Sequence, residues 1–309
     1  DLEDAINNGG YKLVDDFRQL WQYSNELTAK DGKDENGNDV SGYAFVKDLA
    51  DAGKFWAGNG NEEEMFQVQY MNAGSWNGTI GMGFVNQVEL YCGLRCDDDG
   101  AGTANGDQNT FPFAQGWGQG TPSCNIWDDW TDAENAGGDE SKQYTDIRKL
   151  ASLIDLDNEL EAYTYEKDDN EESGYAVKKY ADVNLDACAA DNDSWWSQCE
   201  GYSSSSLDNK QQGDHFEDYY LMRYADVLLM LTELTGDAQY MNQVQARAGV
   251  PQTGYSLKNI QNERRWEFAL EGLRFNDMRR WSGVDGHSQT SYAAKALQAQ
   301  KGKQITCYG

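Results

Sequence analysis

The stretch that decides the fold is Glu263-Arg-Arg-Trp-Glu-Phe-Ala-Leu-Glu-Gly-Leu-Arg-Phe-Asn-Asp-Met-Arg-Arg-Trp281. Its pattern predicts a helix that Ser256 starts, because serine is a favoured N-cap residue. We expect this helix to run to about Glu271, to break at Gly272 and to resume to the end of the stretch.

Charged side chains fill this helix at helical spacing. They are Glu263, Arg264, Arg265, Glu267, Glu271, Arg274, Asp277, Arg279 and Arg280. The spacing predicts an intrahelical pair between Glu271 and Arg274, and repulsion between Glu263 and Glu267 unless an arginine intervenes. Paired carboxylates could also indicate general acid–base chemistry, as in glycoside hydrolysis. A network of arginine forks and carboxylates that locks the helix onto its neighbours explains the same residues more simply.

Two further segments upstream carry helical patterns. The sequence Leu221-Met-Arg-Tyr-Ala-Asp-Val-Leu-Leu-Met230 lies in a wide apolar stripe that predicts a helix over 218–235, with Gly236 as its stop. The sequence Val244-Gln-Ala-Arg-Ala-Gly249 ends a short helix predicted over 240–248.

These segments resemble, in the same order, the helical motifs of the SusD/RagB family of outer-membrane nutrient-binding lipoproteins of Bacteroidetes. The family shows an R-Y-A-(D/E)-V-L-L helix, an N-x-V-R-x-R-A-G helix and an E-R-R-x-E helix that continues into E-G-x-R and D-L-R-R-W. One departure is Gln245, where the family usually has arginine. The resemblance implies structural roles for the following residues: Arg223, Tyr224, Asp226, Arg247, Glu263, Arg264, Arg265, Glu271, Arg274, Asp277, Arg279 and Arg280.

Weaker similarity to the family extends upstream, in 5–13, in Glu64-Met-Phe66 as a strand, and in 175–180 as a second strand. The chain begins in what reads as the middle of a helix, so we expect it to be the C-terminal two-thirds of a longer protein.

The fold that the resemblance implies is mainly α. It is a SusD-like helical scaffold, whose tetratricopeptide-like part is largely absent, with long ordered loops and a few short strands. We divide the chain into a helical remnant at 1–29, a loop-rich ligand-binding region at 30–213 and a helical region at 214–309.

The function that the resemblance implies is non-catalytic binding of oligosaccharide or polysaccharide at the cell surface. The partner would be a SusC-like TonB-dependent transporter barrel in the outer membrane, to which the ligand is delivered. Attachment to the membrane would be through an N-terminal lipid anchor that this chain does not contain. Oligopeptide binding, known in some members of the family, is the alternative, and a glycoside hydrolase is a third hypothesis.

The charge of the chain excludes other classes of partner. Lys and Arg total 25 against 53 Asp and Glu, a formal net charge of −28. Nucleic-acid binding depends on cations that neutralise phosphates, so this balance argues against it. It also argues against a polybasic membrane-surface mode.

Aromatic residues make up 12% of the chain, which is more than a disordered protein would carry. Sugars offer apolar C–H faces, and exposed Trp and Tyr rings suit such partly wet ligands. Trp76 and Trp117 lie in Gly/Asn-rich loops that show no helical periodicity. We therefore predict that these two are the leading candidates for ligand platforms. The further candidates are Trp56, Trp127, Trp130, Trp195 and Trp196. Each of these rings could instead have a structural role, in which it packs into the core and holds its loop against the rest of the protein.

The six cysteines suggest disulfides in an oxidising compartment. Two local pairs are predicted, Cys92 with Cys96 and Cys188 with Cys199. Zinc is the competing interpretation, but Cys92-x-x-x-Cys96 lacks a matching second pair. No cofactor is predicted, although structural calcium could bind at the acidic turns 34–39 or 97–100.

No catalytic motif is found in the sequence. The two histidines, His215 and His287, are not near a plausible Ser or Cys nucleophile, which disfavours a triad. The chain lacks a Gly-x-Ser-x-Gly elbow, a His-Glu-x-x-His motif and a phosphate loop. We therefore expect no enzyme activity.

Overall fold

The structure is a computed structural model that describes residues 2–33, 39–70, 85–94, 112–113, 116–160, 163, 173–183, 217–283, 288 and 290–299. This part of the chain is mainly helical with a few short strands, which confirms the predicted fold class. The α-helices are α1 Leu2–Asn8, α2 Glu26–Ala29, α3 Lys47–Asp51, α4 Gln87–Cys92, α5 Cys124–Glu134, α6 Ile147–Ser152, α7 Leu156–Glu159, α8 Tyr224–Thr235, α9 Ala238–Arg247, α10 Leu257–Glu267, α11 Arg274–Ser282 and α12 Tyr292–Gln298. None of the described helices has the length and apolar composition that crossing a bilayer requires.

The described strands form two-stranded antiparallel ladders. They are β1 Gly32–Lys33, β2 Asp39–Val40, β3 Glu64–Val68, β4 Leu153–Asp155, β5 Tyr175–Val177 and β6 Tyr219–Arg223, with β1 paired to β2, β3 to β6 and β4 to β5. The strand predicted at 64–66 is thus present within β3, whereas only residues 175–177 of the strand predicted at 175–180 form a strand, β5. The three-domain division stays a prediction.

The main hydrophobic core is built around Trp21. Its ring lies edge-on to Tyr180 at 5.1 Å between centroids, and Phe17 and Tyr220 pack beside it. The segment 1–29, predicted as a helical remnant, is not one continuous helix, because α1 ends at Asn8. The Asp16 side chain caps a short 3₁₀ turn over Phe17–Leu20, and further short turns and α2 follow.

The C-terminal helices α8, α9 and α10 pack on a second core that includes Leu228, Val244 and Ile260. Helix α8 ends at Gly236, which has a φ of 74°, and the Ser256 side chain caps α10, both as predicted. The helix predicted over 218–235 began too early, because its first residues form β6. Strand β6 pairs with β3. The backbone N–H and C=O groups of β6 therefore find their hydrogen-bond partners in β3 and not in a further turn of the helix.

The break in the long C-terminal helix is wider than predicted. Helix α10 ends at Glu267, and both Leu270 (φ 67°) and Gly272 (φ 79°) take left-handed backbone conformations before α11 begins. A Cβ at Gly272 would lie 2.6 Å from the hydroxyl of Tyr219, so glycine suits this position on steric grounds as well. The turn directs Glu271 away from Arg274, and the predicted pair between these two residues is wrong.

Glu271 instead binds cations from other elements. Arg223 donates to its carboxylate through Nε and Nη2, both at 2.8 Å, and Lys179 Nζ lies 2.7 Å from Oε1. Arg223 also donates to Glu63 at 2.5 Å and to Glu267 at 2.9 Å. One arginine at the end of β6 therefore joins the segment before β3 to helix α10.

Arg148 of α6 lies between the two like charges of α10. Its Nη1 is 2.5 Å from Glu263 and 3.0 Å from Glu267, and its guanidinium also binds Asp146. The arginine that the sequence required between these carboxylates thus comes from a helix more than 100 residues away in the chain. At the position where the family usually has arginine, the Gln245 amide donates to Glu263 at 3.2 Å.

Several of the remaining motif residues extend this ion network, whereas no described carboxylate lies within 4 Å of Arg274 or Arg279. Arg264 binds Asp226 and Asp277, which ties α10 to α8 and α11. The further contacts are Arg247 with Glu63 and Glu267, Arg265 with Asp129, Arg280 with Asp277 and Glu233, Arg279 over the Phe275 ring, and the backbone N–H of Tyr224 to the Glu63 carbonyl.

Candidate functional site

Trp117 is mounted on a loop that is bonded to the end of helix α4. The backbone N–H groups of residues 116–119 donate in turn to the carbonyls of Leu94, Leu90, Gly93 and Tyr91, at 2.7–2.9 Å. The last carbonyls of a helix lack partners within it, and this loop supplies them. The half-exposed Trp117 ring packs edge-on against the exposed Tyr91 ring at 4.9 Å and 79°.

Glycines make this mounting possible. A Cβ at Gly116 would lie 2.4 Å from the Gly93 carbonyl carbon, and one at Gly120 would lie 2.6 Å from the Cys92 sulfur. Gly118 has a φ of 62°, which side chains rarely adopt. The glycines around Trp117 therefore let the loop approach α4 closely, and the loop then holds the ring in a defined position.

A second aromatic pair joins helix α5 to strand β5. Trp127 and Tyr175 stack with their centroids 4.7 Å apart and their planes at 18°. The Lys149 ammonium lies 4.8 Å from the centre of the Trp127 ring, and it is held by the carboxylate of Glu134 and the hydroxyl of Thr131. Both rings of this pair are half-exposed.

Polar groups lie beside Trp127 of the second pair. A cavity of about 450 Å³ begins at Trp127, and its walls supply amides, hydroxyls and charges from Glu134, Asn135, Gln143, Tyr144, Thr145 and Lys149. The structure also contains a small cavity of about 10 Å³. It is lined by Cys92 and Gly118, which follow Tyr91 and Trp117 in sequence, and by Tyr175. We call the two pairs, Tyr91 with Trp117 and Trp127 with Tyr175, the aromatic surface.

The structure places the other predicted platforms elsewhere. Trp130 is fully buried, its ring is stacked on Trp266 at 4.8 Å, and its Nε1 donates to Asp146 at 3.0 Å. Its prediction as a ligand platform is therefore wrong, because residues 124–134 form a helix whose inward face includes Trp130. Trp56 is half-buried after α3, where its backbone N–H donates to the Ser24 carbonyl, and its role stays a prediction.

Three predicted platforms, Trp76, Trp195 and Trp196, lie outside the described residues. Sequence reasoning missed Tyr91, Tyr175 and Lys149. Tyr175 had a signal, since it starts the predicted strand directly after Gly174, whereas Tyr91 lies in the region predicted as loop-rich and no motif marked it.

Cys92 and Cys124 are free thiols in the structure, and burial raises the pKa of the Cys92 thiol. A free Cys92 does not agree with the predicted bond to Cys96. Cys96, Cys188 and Cys199 lie outside the described residues, so the pair between the last two stays a prediction. Residues 34–38 and 97–100 of the predicted calcium turns also lie outside, and the described residues contain no cluster of metal-ligating side chains.

Several carboxylates are buried in the protein, among them Glu89 of helix α4. Burial, together with Glu217 and Asp182, raises the pKa of Glu89 well above its usual range. Burial also raises the pKa of Glu217 strongly, and it raises the pKa values of Asp182 and Glu64 to about 7. Glu89 and Glu217 are 0% exposed, so neither can touch a ligand on the aromatic surface.

These raised pKa values predict that the protein loses stability with increasing pH. A group whose pKa is higher in the folded than in the unfolded chain stabilises the fold below its unfolded pKa, and this contribution is lost as pH rises through the folded value. For Asp182 the window runs from about pH 4 to about pH 7. We expect Asp182→Asn to raise the free energy of unfolding at pH 8 by about 1–2 kcal/mol, with little effect at pH 4.

Urea denaturation at both pH values measures this effect. Asp51→Asn, the same change at an exposed position of α3, is the control and should be neutral at both. Equal effects of Asp182→Asn at pH 4 and pH 8 would show that the buried carboxyl does not titrate in this window.

Comparison with known proteins identifies the family. The model of the SusD family matches residues 19–307. The "SusD-like protein P25" of Formosa agariphila is 37% identical over 91 residues, which cover 24% of this chain and 17% of that protein.

Solved structures show the same fold. A "laminarin binding SusD-like protein" superimposes with a TM-score of 0.59 at 22% identity, covering 98% of this chain and 52% of that one. Surface glycan-binding protein A from Bacteroides thetaiotaomicron in complex with laminarihexaose superimposes with a TM-score of 0.54 at 19% identity, covering 99% of this chain and 58% of that one. This chain thus spans about half the length of these relatives. With its helical motifs, its fold and the match over most of its length, the chain belongs to the SusD family.

Proposed function

We propose that the aromatic surface binds oligosaccharide or polysaccharide and releases it unchanged. The observation that carries this proposal is the pair of half-exposed tryptophans, each set against a tyrosine and one of them opening onto a polar cavity. Flat rings beside amides and hydroxyls complement a sugar, which has apolar C–H faces and a polar rim. Because two solved relatives are described with laminarin or laminarihexaose, β-glucan is the first ligand class to test.

The absence of catalysis is part of the same proposal. Glycoside hydrolysis needs two carboxyl groups that reach the scissile bond from either side. Glu134, the carboxylate in the polar cavity, already binds Lys149 and accepts from the backbone N–H of Asp146 at 2.8 Å. The carboxyls of Glu89, Asp182 and Glu217, whose pKa values are raised, are buried away from the surface.

Calorimetric titration with a glycan panel tests the site. The panel includes laminarihexaose, xyloglucan oligosaccharides and malto-oligosaccharides, and basic and acidic oligopeptides form a separate arm because the chain is acidic. Trp117→Ala should weaken binding at least about tenfold, since exposed aromatic platforms act as binding hot spots. Tyr255→Ala, the removal of an exposed ring outside the aromatic surface, is the matched control and should leave binding unchanged.

Each arm of the titration has its own outcome. Binding of peptides alone would replace the glycan proposal with oligopeptide capture. Binding of a glycan that Trp117→Ala does not weaken would move the site elsewhere in the chain. Release of reducing sugar from the bound glycan would contradict the absence of catalysis.

The proposed setting is the outer surface of the outer membrane, where a SusC-like transporter would receive the ligand. Membership of the SusD family supports this part of the proposal. Purification of the whole protein from native membranes tests it, since a large barrel protein should accompany the chain in stoichiometric amount.

A further inference from the structure

A second cavity lies among the C-terminal helices and the beginning of α5. Its volume is about 660 Å³, which is within the range of small-molecule sites. The N-terminal end of α5, the turn between α10 and α11, and helix α12 enclose it. Neither tryptophan of the aromatic surface contributes to its walls.

The walls of this cavity are largely apolar. They include Ile126, Phe268, Leu270, Met278 and Leu297, together with three alanines. Phe275 stands at the opening with 62% of its surface exposed. An apolar body of a ligand would remove this surface from water, and that burial favours binding.

The charged groups of the cavity are unusual for this chain. Acidic residues outnumber basic ones by 53 to 25, and most cations that the structure describes lie within 4 Å of a carboxylate. Among the described residues, no carboxylate lies within that distance of Arg274 or Lys295, and both line this cavity. Arg274 lies over the ring of Tyr292, whose hydroxyl accepts from Nη1 at 3.1 Å.

Other features leave the cavity with excess positive charge. Arg264 and Arg265 also line it, but they are balanced by Asp226 and Asp277, and by Asp129, respectively. Helices α5 and α11 both begin at the cavity, and neither has a side chain that caps its first turn. The positive end of the α5 dipole therefore adds to the two unbalanced cations, whereas Asp277 lies in the first turn of α11 and offsets the dipole there.

We propose that this cavity binds a small carboxylate with an apolar body, with the carboxylate between Arg274 and Lys295 and the apolar body along Phe268, Leu270 and Phe275. The two unbalanced cations attract an anion to this cavity, whereas the acidic chain as a whole repels one. The mainly apolar wall disfavours a sugar, whose hydroxyls would lose hydrogen bonds to water there.

Calorimetric titration with decanoate tests the proposal on the whole 309-residue chain. Decan-1-ol and decyltrimethylammonium are the matched ligands, and all three are used below the concentrations at which they form micelles. Decanoate should bind at least about tenfold more tightly than the alcohol, and the cation should bind most weakly, since a charge-assisted hydrogen bond contributes about 1.5–3 kcal/mol.

Two variants place the binding in the cavity. Lys295→Gln should weaken decanoate binding about tenfold, whereas Lys258→Gln, at an exposed lysine of α10 outside the cavity, should not change it. Ala296→Trp should fill the cavity and abolish binding, with thermal unfolding as the check that the variant folds. Lys295→Gln should also leave glycan binding unchanged, so this proposal and the glycan proposal can fail separately.

The proposal is overturned by any of three results. Decan-1-ol that binds as tightly as decanoate would show a purely hydrophobic site. Equal effects of Lys295→Gln and Lys258→Gln would show that the anion binds elsewhere. Failure of decanoate to bind at millimolar concentration would contradict the proposal, and capture of an acidic peptide in its place would assign the cavity to a protein segment.

Discussion

Replacement of Glu267 by glutamine is expected to lower the free energy of unfolding by about 3–5 kcal/mol. The Glu267 side chain is fully buried and accepts hydrogen bonds from Arg148, Arg223 and Arg247. Burial alone would raise its pKa, yet these arginines hold the pKa of Glu267 far below its usual range. Glutamine keeps the shape of the side chain but removes its negative charge. The three buried arginines would then have one carboxylate fewer to balance them, and a buried charge without a partner destabilises the fold.

Urea denaturation followed by circular dichroism measures the effect of Glu267→Gln. Glu62→Gln is the matched control, because Glu62 pairs with Lys12 on the surface, where both side chains are largely exposed to solvent. An exposed ion pair contributes at most about 1 kcal/mol, so the control should remain near the wild-type stability. If both variants lost the same small amount, the ion network would not be what holds α10 to α6 and β6.

Two tryptophans of helix α5 are expected to respond in opposite ways to the same substitution. Trp130→Ala should lower the free energy of unfolding by about 3–5 kcal/mol, because it removes a buried ring and leaves a cavity beside Trp266. It also leaves Asp146 without the indole donor at 3.0 Å. Trp127→Ala removes a half-exposed ring, so it should cost only about 1 kcal/mol while it weakens glycan binding at least about tenfold.

Each of these variants is the control for the other, since they lie three positions apart on one helix. Thermal unfolding and calorimetric titration of both proteins separate stability from binding. A Trp127→Ala protein that is as unstable as Trp130→Ala would mean that Trp127 is a core residue. A Trp127→Ala protein that binds glycan normally would show that Trp127 has no role in binding.

The buried ions also predict opposite responses to pH in different parts of the molecule. Glu267 has a lowered pKa, so its contribution to stability is present above its unfolded pKa and is lost as the solution becomes more acidic. Asp182 and Glu64 have raised pKa values, so their contribution is lost as pH rises towards about 7. The stability of the protein should therefore have its maximum at mildly acidic pH.

The sequence by itself determined the family, the mainly helical class and several element ends. Ser256 and Gly236 were identifiable because capping depends on a residue and its nearest neighbours. The ion network was foreseeable as a kind of interaction, since arginines and carboxylates at this density inside an apolar pattern must neutralise one another. Trp117 was also recognisable from the glycines on either side of it. Where two backbone segments approach closely only glycine fits, so such a site is visible in the local sequence.

Only the tertiary structure decided which partner each charge takes and which tryptophan faces solvent. Arg223 meets Glu63 across 160 residues, and Arg148 meets Glu267 across 119, so no local spacing could reveal either pair. Trp127 and Trp130 have the same chemistry, and the packing of α5 against α10 alone makes one a surface ring and the other a core ring. The periodicity of a sequence shows which residues share one face of a helix or strand. Which other element packs against that face depends on contacts that form only when the whole chain folds.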